Sequence, residues 1–340
     1  MGNKFKWFVL ITALGGYCVL SPARIGWSQS AGTSRIASQS PPPYWAYAIN
    51  PPAKAGDSSL NHVDESLRHV SGSAAAFTHA QINDFFGPPD WHPDGHPPMP
   101  EIVAKGRKPD VFACGYCHLP NGQGRPENSS LAGLPAEYIV QQMADFKSGL
   151  RKSSDPKDLP VATMISNETK ANEKEIHDAA IYFSGLKLKP WIRVVETDTV
   201  PKTKVAGWML VPVEGAGTEA IGQRIIETPA NLEQIEMRND AVGFVAYVPI
   251  GSIKRGEALV TTGGGEKTLA CGKCHGSDLR GLANVPTIAG RSPSYVVRQL
   301  YDMQNGTRAG AASQLMKPVV AKLSLDDMVA IAAYLASLKP

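Results

Sequence analysis

The sequence has few cysteines, little net charge and only a short apolar run. Its 340 residues include 5 cysteines, and four of these lie in two short motifs, so none is left for separate disulfides once Cys18 is set aside. The net charge of +3 gives no reason to expect a nucleic-acid partner. The apolar run at residues 7–20 is 14 residues long, shorter than the ~20 residues that cross a bilayer.

The N-terminus has the order of a signal peptide. Two lysines precede the apolar run, and small residues for cleavage follow at 21–23 or 28–30. This order predicts that residues 1–30 are a cleaved signal peptide and that the protein is exported, most simply to a bacterial periplasm. An N-terminus that stays uncleaved and anchors the chain in the membrane is the alternative. Cys18 follows the bulky Tyr17, so we do not expect it to carry a lipid.

The motif Cys-x-x-Cys-His occurs twice, as CGYCH at 114–118 and as CGKCH at 271–275. This order is the attachment signal of c-type haem, in which two thiols form thioether bonds to the haem vinyl groups and the histidine becomes the proximal iron ligand. We therefore predict two covalently bound haem c groups. The predicted attachment residues are Cys114, Cys117, Cys271 and Cys274, and the predicted proximal ligands are His118 and His275.

Three other uses of paired cysteines fit the motifs less well. A tetrahedral zinc site takes four cysteines from two Cys-x-x-Cys pairs but does not require a histidine after both pairs. A thioredoxin-like pair is followed by a long helix, whereas residues 119–130 have the composition of a loop. Disulfides within each pair leave the histidines unexplained. Haem attachment explains all three residues of each motif.

The chain contains an internal repeat downstream of each motif. Residues 131–151 align with 288–308, and residues 172–187 align with 324–339. All four segments have apolar residues at helical spacing, and each of the later two begins with an N-cap residue and an acid three positions on. Each half of the repeat is thus predicted to be a small all-α domain that encloses one haem.

The repeat also selects the sixth iron ligand. Met164 and Met316 align with each other, in stretches that we expect to be irregular and able to place a thioether over the haem face opposite the histidine. Three further methionines, Met143, Met303 and Met328, align with residues that cannot bind iron and are predicted to be core residues. The alternative for Met164 and Met316 is that they are buried loop methionines.

These residues resemble the dihaem, internally duplicated cytochromes c of the cytochrome c-four family. The resemblance covers about 99–190 and 251–340 and rests on both haem motifs, the first helix of each repeat and the late methionine. It implies a mainly α fold with two tandem class I cytochrome c domains, at 99–190 and 251–340. It also implies a protein that carries electrons in the periplasm.

Two segments have no counterpart in that family pattern. Residues 31–98 are a predicted extension rich in proline and aromatic residues, which wraps a partner or covers one haem domain. Its His92 and His96 are interpreted as loop histidines rather than metal ligands. Residues 191–250 contain three short apolar runs bounded by glycine and proline, which predict a small β insertion between the domains. Its role is either bracing or the docking of a dehydrogenase.

Complete His/Met ligation leaves no open iron position, which favours electron transfer over catalysis at the metal. The predicted function is therefore that of a non-enzymatic carrier of single electrons. It is expected to connect a dehydrogenase or quinol-linked donor with an acceptor such as an oxidase. Association with membrane respiratory complexes is a further expectation. The alternatives are a cytochrome subunit of a quinoprotein or flavoprotein dehydrogenase and a dihaem enzyme such as a peroxidase or a thiosulfate-oxidising cytochrome.

Overall fold

The computed structural model describes residues 41–52 and 65–340. The predicted signal peptide and Cys18 lie outside the described residues, as do residues 31–40 and 53–64 of the predicted extension. Within the described ranges, no helix combines the length and apolarity needed to cross a bilayer.

The N-terminal segment, residues 65–98, has little regular structure because prolines interrupt it. Strand β1 (Leu67–Arg68) pairs antiparallel with β2 (Phe77–Thr78), and helix α1 (His79–Ile82) follows. Thr78 caps α1 in a capping box with Gln81. Trp91 is buried and donates its indole N–H to the carbonyl of Met237 at 2.7 Å. This contact fixes the segment to the middle of the chain.

The first helical unit, residues 101–184, carries the first motif. Its helices are α2 (Glu101–Ala104), α3 (Cys114–His118), α4 (Ala136–Lys147), α5 (Leu159–Lys170) and α6 (Glu173–Ser184). Asn172 and Glu175 form the predicted capping box at the start of α6. The buried faces of α4 and α6 pack into one apolar core that includes Ile139, Ala180 and Phe183.

The middle segment, residues 191–250, contains more strands than the three apolar runs predicted. The strands are β3 (Ile192–Thr197), β4 (Thr199–Pro201), β5 (Thr203–Ala206), β6 (Met209–Pro212), β7 (Thr218–Ala220), β8 (Ile226–Pro229) and β9 (Phe244–Pro249), with helix α7 (Leu232–Glu236) before β9. The predicted runs correspond to β6, β8 and β9. The largest sheet has the order β3-β9-β8, in which β3 and β9 are parallel and β9 and β8 antiparallel. The prediction of a mainly α chain is therefore confirmed only in part.

The second helical unit, residues 252–337, carries the second motif. Its helices are α8 (Ser252–Thr262), α9 (Gly272–His275), α10 (Pro293–Gln304), α11 (Lys317–Val320) and α12 (Leu325–Ser337), with a 3₁₀ turn at Ala311–Met316 before α11. Helices α8 and α12 approach closely, since a Cβ at Gly256 would collide with the carbonyl of Ala330. The core of this unit continues into β8 and β9 of the middle segment.

The two predicted ligand methionines lie in different local structures. Met316 ends the 3₁₀ turn, close to the irregular stretch that we expected. Met164 does not lie in an irregular stretch, because α5 runs through it. Asp158 caps this helix by accepting a hydrogen bond from the Val161 amide, and Pro160 fits its first turn. The expectation of an irregular stretch at Met164 was therefore wrong.

Candidate haem-binding sites

The first site is built on helix α3, which spans the whole first motif. His118 is buried, and its Nδ1 lies 2.8 Å from the carbonyl oxygen of Ser129. This contact makes Nδ1 the donor and leaves the lone pair of Nε2 for a metal. Cys114 and Cys117 are reduced thiols on the same turn, in position for thioether bonds.

The second site repeats this geometry. Nδ1 of His275 lies 2.8 Å from the carbonyl oxygen of Pro286, eleven residues downstream, which is the same separation as in the first site. The backbone after each histidine also matches, with φ 62° and ψ 153° at Leu119 and φ 81° and ψ 152° at Gly276. In the first site this conformation, which normally requires glycine, is adopted by Leu119. The two motifs therefore present their histidines in the same way.

Burial sets the protonation of the first site. It lowers the pKa of His118 to about 4, so the imidazole is neutral at neutral pH, the form that binds a metal. Burial also raises the pKa of the Cys114 thiol to about 12 and of the Cys271 thiol to about 11. Structural burial rather than thiolate activation thus characterises these cysteines, unlike those of a redox-active thiol pair.

A cavity of about 900 Å³ adjoins the first motif. Cys114, Cys117 and His118 form one wall, and apolar side chains such as Ile139 and Phe183 line its interior. A large apolar cavity with a single neutral imidazole and two thiols fits a flat, mainly apolar cofactor. By contrast, no cluster of three or more metal-ligating side chains of the kind that holds a bare ion occurs in the described ranges.

Four methionines reach this cavity: Met143, Met164, Met209 and Met237. The repeat comparison favoured Met164 and placed Met143 in the core, and Met143 does pack against that core as well as lining the cavity. Met209 and Met237 were missed because they belong to the middle segment, which has no second copy to compare. In the second unit, Met316 is half-buried and packs against the same apolar core as Cys271.

The two helical units meet through a nearly symmetrical pair of arginines. The backbones of Arg151 and Arg308 pair in an isolated antiparallel β-bridge. The side chain of each arginine also forms hydrogen bonds with residues of the other unit. The guanidinium of Arg151 donates to Tyr295, Gln299 and Gln142 at 3.0–3.2 Å. That of Arg308 donates to Tyr138, Gln142 and Gln299 at 2.8 Å. Burial would raise the pKa of Tyr295, but the two guanidinium groups lower it to about 8.

The histidines of the N-terminal segment bond within the protein. Nε2 of His96 lies 3.1 Å from Asp90, and its Nδ1 lies 3.0 Å from the hydroxyl of Tyr182. Nε2 of His92 lies 3.1 Å from the side-chain oxygen of Asn239. Both histidines thus tie this segment to neighbouring parts of the fold.

Comparisons with known proteins find similarity to cytochromes c. The family model described as cytochrome c matches residues 253–339. Cytochrome c4 of Pseudomonas aeruginosa is 25% identical over 66% of this chain and 83% of its own length. A thiosulfate dehydrogenase electron acceptor of Thiomonas intermedia is 25% identical over 67% of this chain and 80% of its own length.

A shorter relative is more similar. Cytochrome c-554(548) of Halomonas halodenitrificans is 37% identical over 22% of this chain and 90% of its own length. Among solved structures, a thiosulfate dehydrogenase (TsdBA) of Marichromatium purpuratum is 23% identical over 70% of this chain with a TM-score of 0.46, and this chain spans 39% of its length.

Family, motif and geometry lead to one assignment. The protein carries two covalently bound haem c groups and transfers electrons, as its relatives' names and its two motifs imply. This chain belongs to the cytochrome c family, as a dihaem cytochrome similar to cytochrome c4.

Proposed function

We propose that this protein is a periplasmic carrier that accepts single electrons from a dehydrogenase or quinol-linked donor and delivers them to an acceptor such as an oxidase. The observation that carries this proposal is the pair of matching sites, each with a histidine held through Nδ1 at 2.8 Å. Two equal sites joined by one interface suit storage and relay of electrons more than chemistry on a substrate.

The haem groups would be held by this chain's own residues as follows. Cys114 and Cys117 bind the first and Cys271 and Cys274 the second, with His118 and His275 as proximal ligands. Met164 and Met316 are the proposed distal ligands; Met164 is supported by its place among the residues that line the same cavity as His118. A thioether and an imidazole on the same iron would favour its reduced state and would leave no open position for oxygen or peroxide.

The haem supplies a reversible one-electron couple, and the protein supplies its surroundings. The hydrogen bonds from His118 to Ser129 and from His275 to Pro286 fix both imidazole rings. Fixed ligands need little rearrangement when the charge of the site changes, which speeds electron transfer. The arginine pair, Arg151 and Arg308, holds the two units in one relative orientation and places positive charge between them.

A second candidate function is electron transfer with one dedicated dehydrogenase. Relatives named thiosulfate dehydrogenase electron acceptor favour it, as do the N-terminal and middle segments, which a freely diffusing carrier does not need. In that case the protein would be a cytochrome subunit or a dedicated acceptor of a dehydrogenase. We propose no catalytic residue in this chain in either case.

A stopped-flow screen tests the carrier function. The purified protein should take up two electrons per chain, show low-spin spectra in both oxidation states, and be reduced rapidly by at least one periplasmic dehydrogenase. Stable co-purification with a dehydrogenase would favour the subunit function instead. A high-spin spectrum of the unmodified protein or sustained peroxide turnover would contradict both.

A further inference from the structure

The outer faces of the two haem motifs differ, although their interiors match. The repeat alignment pairs Tyr116 with Lys273 and Arg125 with Leu282. Tyr116 and Arg125 are each 6% exposed, whereas Lys273 is exposed and Leu282 is 61% exposed. The same surface is thus closed in the first unit and open in the second.

The N-terminal segment closes one side of the first face. The ring of Phe85 lies 4.6 Å from that of Phe112 and 4.4 Å from that of Tyr116, and Phe86 packs against Phe112 at 5.3 Å. The counterpart of Phe112 in the second unit is Leu269, which is 48% exposed.

The middle segment closes the other side. The guanidinium of Arg238 lies 3.5 Å from the centre of the Tyr116 ring and also donates to the carbonyl of Tyr116 at 2.8 Å. Arg125 contacts the sulfur of Met209 at 2.9 Å, and Gln123 donates to the carbonyl of Val242 at 3.0 Å. The middle segment of the same chain thus covers this side of the first face.

The face on the second unit has a defined chemistry. We call it the open face; it comprises Leu269, Lys273, Cys274, Arg280 and Leu282, all exposed. Neither Lys273 nor Arg280 forms an ion pair within the part of the chain that the structure describes. The nearest acid in sequence, Asp278, accepts a hydrogen bond from the backbone of Arg280. Two leucines beside two unpaired cations are suited to an acidic protein surface with an apolar centre.

From this difference we infer that the open face is the docking site for an acidic redox protein, and that electrons enter and leave the molecule there while the first unit acts as an inner store for a second electron. This inference rests on the proposed carrier function. Each exchange moves one electron and breaks no bond: the protein is oxidised by one electron and the redox group of the partner is reduced by one, or the reverse.

Charge reversal tests the inference with small redox probes. The variant Lys273→Glu/Arg280→Glu is compared with Lys105→Glu/Lys174→Glu, which changes the net charge equally at exposed lysines of the first unit. At low ionic strength the open-face variant should be oxidised about tenfold more slowly by anionic hexacyanoferrate(III) and reduced several-fold faster by cationic hexaammineruthenium(II). Both effects should disappear at roughly 0.5 M salt, where charges are screened.

The control decides the interpretation. A change of less than about twofold in Lys105→Glu/Lys174→Glu supports the open face, whereas equal changes in the two variants overturn it, because net charge alone would then explain them. If the unmodified protein exchanges electrons with neither probe, the carrier function itself fails and this inference fails with it.

Lysine footprinting adds a readout that is independent of electron transfer. Acetylation with a succinimidyl ester, followed by mass spectrometry, should show Lys273 protected when the oxidised full-length protein binds flavodoxin, a small acidic redox protein. Lys105 and Lys174 should remain reactive. Protection by phosphatidylglycerol vesicles but not by flavodoxin would identify a lipid surface as the partner and overturn the protein-docking inference.

Discussion

The two haem motifs of this molecule are alike inside and different outside. In both, the histidine donates through Nδ1 to a carbonyl eleven residues downstream. Outside, Phe85 and Arg238 cover the first motif, whereas the exposed Lys273 lies in the second. The comparison shows that the two copies keep the same histidine geometry, while the added segments cover the outer face of one copy and leave that of the other exposed.

Loss of haem attachment should have the largest effect and should differ between the two units. Cys114→Ser/Cys117→Ser and Cys271→Ser/Cys274→Ser should each lower covalent haem from two to one per chain, measured by pyridine haemochrome and intact mass. The first variant should also lose roughly 5–10 °C more in thermal midpoint, because its cavity of about 900 Å³ is also lined by the N-terminal and middle segments. Equal losses would show that these segments do not depend on the first site.

Replacement of the proposed distal ligands comes next. Met164→Leu and Met316→Leu should each convert one haem to high spin and remove about half of the sulfur-to-iron absorption band. Met143→Leu and Met209→Leu are matched controls, since both residues line the cavity with Met164, and both variants should keep the full band. Loss of the band in a control but not in Met164→Leu would transfer the assignment to that methionine.

The aromatic contacts that cover the first motif should contribute measurably to the free energy of unfolding. Phe85→Ala removes the stacking on Phe112 and Tyr116 and should reduce the free energy of unfolding by roughly 1–2 kcal/mol. Phe85 is 43% exposed and Leu269, on the open face, is 48% exposed, so the expected difference comes from the ring contacts of Phe85 and not from burial. Leu269→Ala should therefore cost less than about 0.5 kcal/mol. Denaturant titrations compare the two variants. A similar cost for both would mean that Phe85 does not stabilise a closed face.

A pH-dependent effect is expected from Glu168, a buried acid at a position where the second unit has valine. Glu168 is 1% exposed, and burial raises its pKa to about 7. Its counterpart four residues after Met316 is the buried Val320. Since the raised pKa favours the protonated form in the native state, stability from this group is present near pH 4 and lost as the pH rises towards 7.

Glu168→Val should therefore stabilise the protein by about 1–3 kcal/mol at pH 8 and by less at pH 5. Thermal unfolding at the two pH values measures this, and Glu173→Gln, at an exposed position of α6, is the control. A gain that does not depend on pH would contradict the assignment of the raised pKa to Glu168.

The local structure of the two sites could be predicted from the sequence because it depends on short motifs that occur twice. The spacing within Cys114–His118 defines a turn of helix. The two residues of each capping box, Asn172 with Glu175 and Ser324 with Asp327, are three positions apart. The helical state of Met164 was missed because Asp158 and Pro160 start a helix that the second copy replaces with a 3₁₀ turn.

The covering of the first motif could not be predicted. Phe85 and Tyr116 are far apart in sequence, as are Tyr116 and Arg238, and their contacts depend on how the N-terminal and middle segments fold back. Neither segment is repeated, so no internal comparison shows which of its residues matter. The same holds for Met209 and Met237, which reach the cavity from the middle segment.

The accessibility of the two haem groups tests the central claim most directly. In the reduced, diamagnetic protein, a soluble gadolinium chelate should broaden the haem methyl NMR signals of the second unit several-fold more than those of the first. Signals are assigned to a unit with the two cysteine double variants. Equal broadening of both sets, or stronger broadening in the first unit, would contradict the claim that electrons exchange through the second unit alone.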